Sequence, residues 1–538
     1  MDAQLTPLSF LRRSAEVHPH KTAVIHGTRS LTYRELADEA QRLANALRAA
    51  GVAPGDRVAY LLPNVPELVV AHFAVPLAGG VLVAMNTRLA SEEIRYICDH
   101  AEAVVLVVDP AFGDLVTPLL GTLATVRTVV TAVDPDGPPT EGVLPGTVDY
   151  RALLDGGEPG GLDWVVDDEL APITINYTSG TTGRPKGVVY THRGAYLASL
   201  GGLALTGYNA ASVYLWTLPM FHCNGWCTAW ALAAAGGTQV CLREVRGDTI
   251  WQLIDAHGIT HLNGAPTVVT TIMDAEQARE LDRPLVITTA GAPPSPTTIQ
   301  QMEQMGFTII HVYGLTETYG PYSVCEAQPA WAALAPEERA HLMSRQGVGM
   351  LHTDGVRVVE SELRDGALVD VPADGQAMGE IVMRGNGVMK GYFKDPEGTE
   401  KAFAGGWFHS GDLGVVYPDN YVELRDRAKD VVVSGGENIA TVEVEHAVAS
   451  HAAVLEVAVI GVPDERWGER PKAFVVLRPG QSVTDTELLA HVRTKIARYK
   501  APREIEFLAE LPKTSTGKIQ KFDLREKEWA GHTHRIKG

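Results

Sequence analysis

The sequence predicts an α/β fold, with a large N-terminal domain of parallel α/β sheets plus a small β-barrel, and a small α+β C-terminal domain. Up to about residue 400, strand-like apolar runs are repeatedly followed by helical patterns, as in parallel α/β units. After Met378, segments such as GEIVMRG indicate short antiparallel strands. Charges cluster at Asp426–Asp430 between two apolar strands, so we predict domains at 1–426 and 431–538 with a hinge at 427–430.

Net charge and hydropathy disfavour several classes of partner. The 538 residues are 45% hydrophobic and 21% charged, as in an ordinary globular protein. The formal charge of -19 repels nucleic acid backbones and anionic lipid. The longest uncharged run, Leu68 to Met85, approaches the length of a membrane span, but Pro76, Gly79 and Gly80 interrupt it. We therefore expect a buried helix, a turn and a buried strand there, and neither nucleic acid nor membrane as a partner.

The cysteines and the two ends of the chain favour a cytoplasmic protein. Five cysteines in 538 residues do not make a disulfide framework. Cys223 and Cys227 follow His222, but no second Cys/His pair comes at zinc spacing, which favours ordinary pocket or core residues over a metal site. The first 20 residues carry charge and proline where a signal peptide needs an apolar stretch, and the final HRIKG contains no peroxisomal tripeptide.

One strand–helix–strand crossover is predicted at 284–314. PLVITTAG is a β-branched strand, and Ser295 with Pro296 supplies a helix N-cap and first turn. Ile299 and Met302 recur on one helical face, and FTIIHVYG forms the next strand. Residues directly after that strand lie at a carboxyl end, where open α/β sheets bind ligands.

The strongest local motif is YTSGTTGRPKG, Tyr177 to Gly187, between the apolar strands PITINY and GVVYTH. Its glycines let backbone amides approach phosphate oxygens, its hydroxyls add donors, and Lys186 adds a positive charge. A Walker A loop is not present, because Lys186 is followed by glycine. A flexible Ser/Gly linker has a similar composition, but the flanking strands favour phosphate binding.

Three further segments offer charged groups near predicted turns. HVYGLTET contains Thr316, a hydroxyl for phosphate, and Glu317, a carboxylate for Mg²⁺ or an ordinary helix first-turn residue. Asp412 in GWFHSGDLG suits the two hydroxyls of a ribose or a plain turn. Lys518 in LPKTSTGKIQK follows Thr516-Gly517; taken alone, it is an ordinary solvated lysine.

Together these segments resemble, in order and spacing, the adenylate-forming superfamily of acyl-CoA synthetases, adenylation domains and luciferases. The resemblance covers roughly residues 10–525 and includes TSGTTGRPKG, YGLTE, WFHSGDLG, RDRAKDVVVSGGENI and PKTSTGK. PMFHCNGWC, TAGAPP and SRQGVGM are similar to the short- and medium-chain acyl-CoA ligases. In such enzymes the large N-terminal domain binds ATP and acid, and the small, mobile C-terminal domain swings over it.

The resemblance implies how ATP would be held. The β- and γ-phosphates would contact the loop residues Thr178, Ser179, Gly180, Thr181, Thr182, Gly183 and Lys186. Thr316 would contact the α-phosphate, while Glu317 and Thr182 would hold Mg²⁺. The ribose would lie on Asp412 and Arg427, and the nucleotide would also contact Gly291, Ala292, Pro293 and Tyr313.

The resemblance also assigns roles in catalysis and thiolation. Lys518 would stabilise negative charge on the reacting carboxylate and α-phosphate. Lys429 would be the hinge residue at which the small domain rotates. CoA would pass Ser434, Gly435 and Gly436 in the second conformation.

The acid would lie near the loop that follows Met220. His222 would act as a gate near the carboxylate, and the substrate pocket would include His222, Asn224, Trp226, Gly314 and Tyr319. No Asp or Glu occurs between Met220 and Ala235, which argues against an amino acid substrate because a buried ammonium needs a partner. Aromatic residues near the pocket favour short, branched or aromatic acids.

These observations predict an ATP-dependent carboxylic acid–CoA ligase that acts through an acyl-adenylate, releases AMP and pyrophosphate, and serves fatty acid metabolism. The alternative is an adenylate-forming enzyme that passes the acyl group to a carrier protein or a non-CoA nucleophile. A catalytically silent nucleotide-binding protein is disfavoured by the intact Lys518, Glu317 and Asp412, and a P-loop ATPase by the context of Lys186. Monomer and homodimer are equally compatible with the sequence.

Overall fold

The computed structural model describes residues 3–140, 142–178, 185–291, 296–360, 364, 366–427, 430–434, 437–464, 467–513 and 519–530. The strands in this part of the chain are β1 (Thr22–His26), β2 (Arg29–Thr32), β3 (Arg57–Leu61), β4 (Val81–Ala84), β5 (Ala103–Val108), β6 (Thr128–Thr131), β7 (Val148–Asp149), β8 (Pro172–Tyr177), β9 (Gly187–Thr191), β10 (Val213–Leu215), β11 (Thr238–Val240), β12 (His261–Gly264), β13 (Leu285–Thr289), β14 (Phe307–Leu315), β15 (Gly320–Val324), β16 (Val348–Gly349), β17 (Gly355–Val359), β18 (Gly379–Arg384), β19 (Gly391–Tyr392), β20 (Phe408–Val416), β21 (Val422–Arg427), β22 (Val432–Ser434), β23 (Glu437–Ile439), β24 (Val454–Asp464), β25 (Gly468–Leu477) and β26 (Glu504–Phe507).

The α-helices of the described residues are α1 (Leu8–Val17), α2 (Tyr33–Ala49), α3 (Pro66–Leu77), α4 (Ser91–Ala101), α5 (Gly113–Val116), α6 (Tyr150–Asp155), α7 (His192–Thr206), α8 (Thr228–Ala235), α9 (Gly247–His257), α10 (Pro266–Met273), α11 (Pro296–Gln304), α12 (Pro336–Met343), α13 (Pro396–Ala402), α14 (Thr441–Ala449), α15 (Asp485–Lys495) and α16 (Lys521–Glu528). None of these helices is long and apolar enough to cross a membrane.

Two large sheets form the N-terminal region. The nine-stranded sheet has the order β16-β15-β14-β13-β12-β10-β11-β1-β2, and the eight-stranded sheet has the order β19-β9-β8-β4-β3-β5-β6-β7. The middle of each sheet is parallel; antiparallel strands lie at both edges of the nine-stranded sheet, but only at the β9–β19 edge of the eight-stranded one, where β7 is parallel to β6. Central strands such as β4 are buried along their whole length, which explains their continuous apolar sequence.

Helices lie between the two sheets and outside them. Along β3, Val58 and Tyr60 belong to the core shared with α2, α3, α7 and α8, whereas Ala59 and Leu61 pack on the other face. Tyr214 of β10 joins the same shared core, and Leu215 faces α9 and α10. The predicted buried helix and strand at 68–85 are confirmed as α3 and β4.

The later part of the chain contains two smaller sheets. Strands β17, β18, β20 and β21 form a four-stranded antiparallel sheet where a small barrel was predicted, and no ladder between described residues joins β17 to β21. This sheet therefore differs from a closed barrel. Beyond it, β22 to β26 form a five-stranded sheet that packs on α14, α15 and α16. The predicted capping box of Thr484 and Glu487 begins α15.

Hydrogen bonds and ion pairs cluster around the predicted hinge. The Thr441 amide at the start of α14 donates to Asp426 Oδ2 at 2.6 Å. Lys521 on α16 pairs with Glu445 at 2.8 Å, and Arg525 pairs with Asp430. Burial raises the pKa of Asp426 to about 6, against the lowering effect of Lys521. The predicted hinge thus borders a cluster of ionic contacts, while Lys429 itself lies outside the described residues.

A buried charge cluster also ties the two large sheets together. Asp134, which follows β6, accepts hydrogen bonds from His26 at 2.8 Å, Arg243 at 2.8 Å and Arg29 at 2.9 Å. Burial of Asp134 opposes ionisation, but His26 and Arg243 outweigh it and hold the pKa of this carboxyl well below its usual range.

We expect Asp134→Asn to cost about 3–5 kcal/mol of folding free energy at neutral pH, because two arginines lose a buried counter-charge. Since the folded carboxyl has a lowered pKa, its stabilisation is complete above the unfolded value of about 3.9 and is lost as pH falls below it. Thermal unfolding at pH 7 and at acid pH measures the difference, which should shrink in acid. Asp248→Asn, which removes the exposed pair with Arg246, is the control and should change the melting temperature little. Equal melting temperatures for native protein and Asp134→Asn at pH 7 would contradict the prediction.

Candidate active site

The segment that follows β14 is held by two strands of the eight-stranded sheet, β9 and β19, and by the loop just before β19. The Tyr190 hydroxyl on β9 donates to the Thr316 carbonyl oxygen at 2.6 Å. The Met389 amide donates to the Glu317 carbonyl oxygen at 2.7 Å, and the Tyr392 hydroxyl donates to Glu317 Oε1 at 2.9 Å. Both predicted residues, Thr316 and Glu317, are therefore fixed at a carboxyl end of the nine-stranded sheet.

The base of the predicted phosphate loop continues the β8–β9 hairpin. The Thr178 amide donates to the Lys186 carbonyl oxygen at 3.0 Å, and the Lys186 amide donates to Thr178 Oγ1 at 3.4 Å. Ser179, Gly180, Thr181, Thr182 and Gly183 lie outside the described residues. Thr178 and Lys186, the two described ends of this loop, adjoin the neighbouring strands β8 and β9. This is expected of a turn whose backbone amides bind a ligand.

Lys186 is engaged by an acid and by an aromatic ring. Its Nζ lies 3.0 Å from Asp395 Oδ2 and 4.4 Å from the centre of the Tyr392 ring. The Gly398 amide and then Lys186 lower the pKa of Asp395. Tyr392 thus contacts Lys186 with its ring and Glu317 with its hydroxyl.

Asp412 and Tyr313 come together from separate motifs. The Tyr313 hydroxyl donates to Asp412 Oδ2 at 2.7 Å, and both side chains are buried. Asp412 is opposite Arg427 in the β20–β21 ladder, so the predicted ribose residues are neighbours in the sheet. Gly291, at the end of β13, is exposed with φ of 96°, and Ala292 and Pro293 fall in a part of the chain that is not described.

The loop that begins at His222 forms a left-handed turn. Cys223, Asn224, Gly225, Trp226 and Cys227 have φ values of 42°, 41°, 59°, 54° and 58°. A left-handed helical conformation costs roughly 1–2 kcal/mol for each L-residue, so four non-glycine residues store several kcal/mol of strain. Strain of this size persists only where surrounding structure holds the backbone, and it is typical of functional sites.

The turn is held by α3. Asn224 donates from its amide to His72 Nε2 at 3.0 Å and to the Met220 carbonyl oxygen at 3.3 Å. Burial lowers the pKa of His72 to about 4, so the ring is neutral at pH 7. Its Nδ1 lies 2.7 Å from the Leu68 carbonyl oxygen and carries the proton, which leaves Nε2 to accept from Asn224.

The turn brings a thiol to the predicted α-phosphate residue. Cys223 Sγ lies 3.6 Å from Thr316 Oγ1 and 3.8 Å from His222 Nε2. Two of the residues predicted for the pocket differ in where they point. His222 and Thr316 both contact the Cys223 thiol, whereas Asn224 directs its amide towards His72 on α3. The sequence marked Cys223 only as an ordinary pocket or core residue, which agrees with its buried position, and offered no signal for His72, whose partner Asn224 is 152 residues away along the chain.

A small cavity lies beside the turn. Its volume is about 30 Å³, and its lining includes Leu205, Trp226, Thr288, Tyr319, Pro321 and Met350. The ring of Tyr319 stacks on Tyr190 at 3.9 Å, and its hydroxyl accepts from the Thr191 amide at 2.6 Å. Gly314, another residue predicted for the pocket, is in the hairpin of β14 and β15. A Cβ there would lie 1.8 Å from the Gly320 carbonyl oxygen, so this hairpin requires glycine. Two predicted pocket residues, Trp226 and Tyr319, therefore line one cavity.

The residues predicted for thiolation are mostly outside the described part of the chain. Ser434 is described at the end of β22, paired with Gly468 and Glu437. Gly435, Gly436, Lys429 and Lys518 are among those not described. Their predicted roles remain predictions.

Glu317 fits a hard divalent cation, because Mg²⁺ prefers carboxylate oxygens and few protein ligands. Tyr392 occupies Oε1 and leaves Oε2 as the oxygen that can coordinate. Within the described ranges, no three His, Cys, Asp or Glu residues form a dedicated metal cluster, and the five cysteines are buried free thiols. A cation at Glu317 would therefore need most of its ligands from phosphate and water.

The fold and the site define a nucleotide-dependent enzyme. Residues 11–393 match the family model of the AMP-binding enzyme, and residues 443–518 match the AMP-binding enzyme C-terminal domain. The chain belongs to the AMP-binding enzyme family.

Relatives of known activity are similar over nearly their whole length. The chain is 45% identical to an acetate–CoA ligase of Humulus lupulus, over 97% of this chain and 94% of the relative. It is 43% identical to a peroxisomal acetate/butyrate–CoA ligase of Arabidopsis thaliana, with the same coverage of 97% and 94%. The crystal structure of an anthranilate CoA ligase in complex with anthranoyl-AMP has a TM-score of 0.86 at 26% identity, over 98% of each chain. The predicted superfamily, α/β fold class and AMP-forming acid–CoA ligase activity, with ATP and CoA, are confirmed.

We expect His72→Leu to disturb the left-handed turn, because the Asn224 amide loses a buried acceptor at a cost of about 1–3 kcal/mol. If the same free energy is lost from the transition state, because Thr316 and His222 are less well positioned, the rate of acid-dependent pyrophosphate exchange into ATP should fall about tenfold. His72→Gln, which keeps an acceptor, should recover part of the rate. Trp230→Phe removes the neighbouring indole bond to the His72 carbonyl oxygen and serves as a control for packing. Equal exchange rates for native protein and His72→Leu would contradict this role.

Proposed function

We propose that this acid–CoA ligase activates short-chain carboxylic acids, in the range from acetate to butyrate, in a reaction that requires Mg²⁺. The observation that carries the proposal is the small cavity bordered by the bulky side chains of Trp226, Tyr319 and Met350. The names of the two plant ligases support the same range of acids.

In the first half-reaction, a carboxylate oxygen attacks the α-phosphorus of ATP, and the bond to pyrophosphate breaks. The loop from Thr178 to Lys186 holds the β- and γ-phosphates through amides, hydroxyls and one ammonium. Thr316 donates to the α-phosphate, and Lys518 neutralises charge that develops between carboxylate and phosphate. Mg²⁺, when bound, neutralises phosphate charge and orients the leaving pyrophosphate. Glu317 would hold it, together with Thr182.

The nucleoside part is held by groups on two sheets. Asp412, buried and bonded by Tyr313, accepts from the ribose hydroxyls, with Arg427 beside it in the ladder. Gly291, Ala292 and Pro293 would contact the adenine. Positioning of this kind converts an encounter of two substrates into a reaction within one complex.

In the second half-reaction, the thiol of CoA gives up its proton to water and attacks the acyl carbon, the bond to AMP breaks, and the electron pair leaves on the phosphate oxygen. Lys429 absorbs the rotation of the C-terminal domain, and Ser434, Gly435 and Gly436 line the path of the thiol. CoA ligase activity in the relatives favours CoA over a carrier protein as the acceptor.

We also propose a cytoplasmic location and a role in fatty acid metabolism, with monomer or homodimer as the state in solution. Five free, buried cysteines suit a reducing compartment. The Arabidopsis relative is named as peroxisomal, whereas we propose the cytoplasm for this protein. Cell fractionation tests the proposed compartment.

The proposal predicts that acetate, propionate and butyrate, with Mg-ATP and CoA, produce AMP and pyrophosphate. Lys518→Ala should lower the rate of adenylation by about 10²–10³-fold, as for other groups that stabilise developing charge. Release of pyrophosphate and AMP across a panel of acids measures both effects, and Lys513→Ala, a nearby lysine paired with Glu456, is the control. Longer or aromatic acids turning over faster than all three short acids would refute the proposed range.

Leu205→Ala should enlarge the cavity and shift the preference towards longer acids. One methylene in an apolar pocket is worth about 10–200-fold in kcat/KM, so the ratio of hexanoate to acetate should rise at least tenfold. Leu203→Ala, on the same helix but packed into the shared core, is the matched control. An unchanged ratio in Leu205→Ala would place the acyl group elsewhere.

A further inference from the structure

Tyr392 lies between the two charged groups that the proposed function assigns to Mg-ATP. Its ring centre is 4.4 Å from Lys186 Nζ, and its hydroxyl is 2.9 Å from Glu317 Oε1. Lys186 directly precedes β9 of the eight-stranded sheet, and Glu317 follows β14 of the nine-stranded sheet. The two groups therefore come from different sheets. One side chain thus spans the gap between the predicted phosphate-binding lysine and the predicted metal ligand.

The backbone of Tyr392 is fixed to the strand that leaves the phosphate loop. In the β19–β9 ladder, Tyr392 is opposite Val188, and the next amide, that of Phe393, donates to the Gly187 carbonyl oxygen at 2.7 Å. The Tyr392 amide donates to Thr399 Oγ1 on α13 at 2.9 Å. Any displacement of β9 would therefore move Tyr392 with it.

The hydroxyl of Tyr392 is the donor in its bond to Glu317, because a carboxylate oxygen accepts hydrogen bonds and cannot donate them. The donated bond fixes Oε1 of Glu317 and leaves Oε2 for another ligand. Because the Met389 amide fixes the carbonyl of Glu317, both ends of this residue are held.

We propose that Tyr392 is a positioning residue that orients the Glu317 carboxylate for the divalent cation of Mg-ATP and keeps Lys186 at a set distance from it. The proposal rests on the proposed function, since it takes Glu317 as the metal ligand. Groups that hold a metal ligand in place commonly contribute 10–100-fold to metal affinity.

Tyr392→Phe removes one oxygen atom and keeps the ring under Lys186, so it separates the two contacts. We expect Mn²⁺ affinity in the presence of ATP alone, with no acid and no turnover, to fall about tenfold by electron paramagnetic resonance titration. ATP affinity at saturating Mg²⁺ should stay close to that of the native protein. Tyr392→Leu, which also removes the ring, should weaken both. The melting temperature checks that each variant is folded.

The matched control is Tyr417→Phe, which removes another tyrosine–glutamate bond, to Glu423, where the neighbours are Arg425 and Arg345. It should leave Mn²⁺ affinity unchanged. Equal Mn²⁺ affinity in native protein and Tyr392→Phe would overturn the proposal for Tyr392, while a large loss in Glu317→Gln would keep Glu317 as the ligand. If Glu317→Gln also binds Mn²⁺ normally, both the proposal and the assigned metal role fail.

Discussion

The candidate active site depends on a seam at which the two large sheets meet, and tyrosine hydroxyls hold that seam. Tyr190 and Tyr392 extend from the eight-stranded sheet to Thr316 and Glu317 of the other sheet. In return, Tyr319 receives the Thr191 amide at the start of α7. Buried hydroxyls are costly without partners, so the seam tolerates few other arrangements. Strand β9, which follows the predicted phosphate loop, and the segment after β14 consequently keep one relative position.

The left-handed turn is held in place by buried residues of the core. All twelve residues of α3 are buried, and His72 faces the turn from within this helix. Just before α3, Asn64 donates to the carbonyl oxygens of Trp216 and Leu218 and accepts from the Met220 amide. The strained backbone is therefore anchored on both sides of His222, and its conformation is set by the core.

Local sequence patterns were sufficient to predict the elements that carry the motifs, because apolar periodicity and helix caps act over a few residues. The strand, helix and strand at 284–314 are observed as β13, α11 and β14. His72, Tyr190 and Tyr392 gave no such signal, since each is a single polar group whose site partner is 75 to 152 residues away along the chain. A left-handed turn with Trp226 in it contradicts residue preference, and only tertiary support explains it.

The pairing of Lys186 with Asp395 has a consequence for charge during turnover. Asp395 also caps α13, where its carboxylate accepts from the Gly398 amide at 2.9 Å. If a triphosphate binds Lys186, as proposed, Asp395 still accepts from the Gly398 amide and is partly exposed to water, so its charge is not left buried without a partner. Ligand binding at this lysine would then replace one anionic partner with another. In a protein with a formal charge of -19, a resident counter-ion of this kind gives Lys186 an anionic partner before any nucleotide binds.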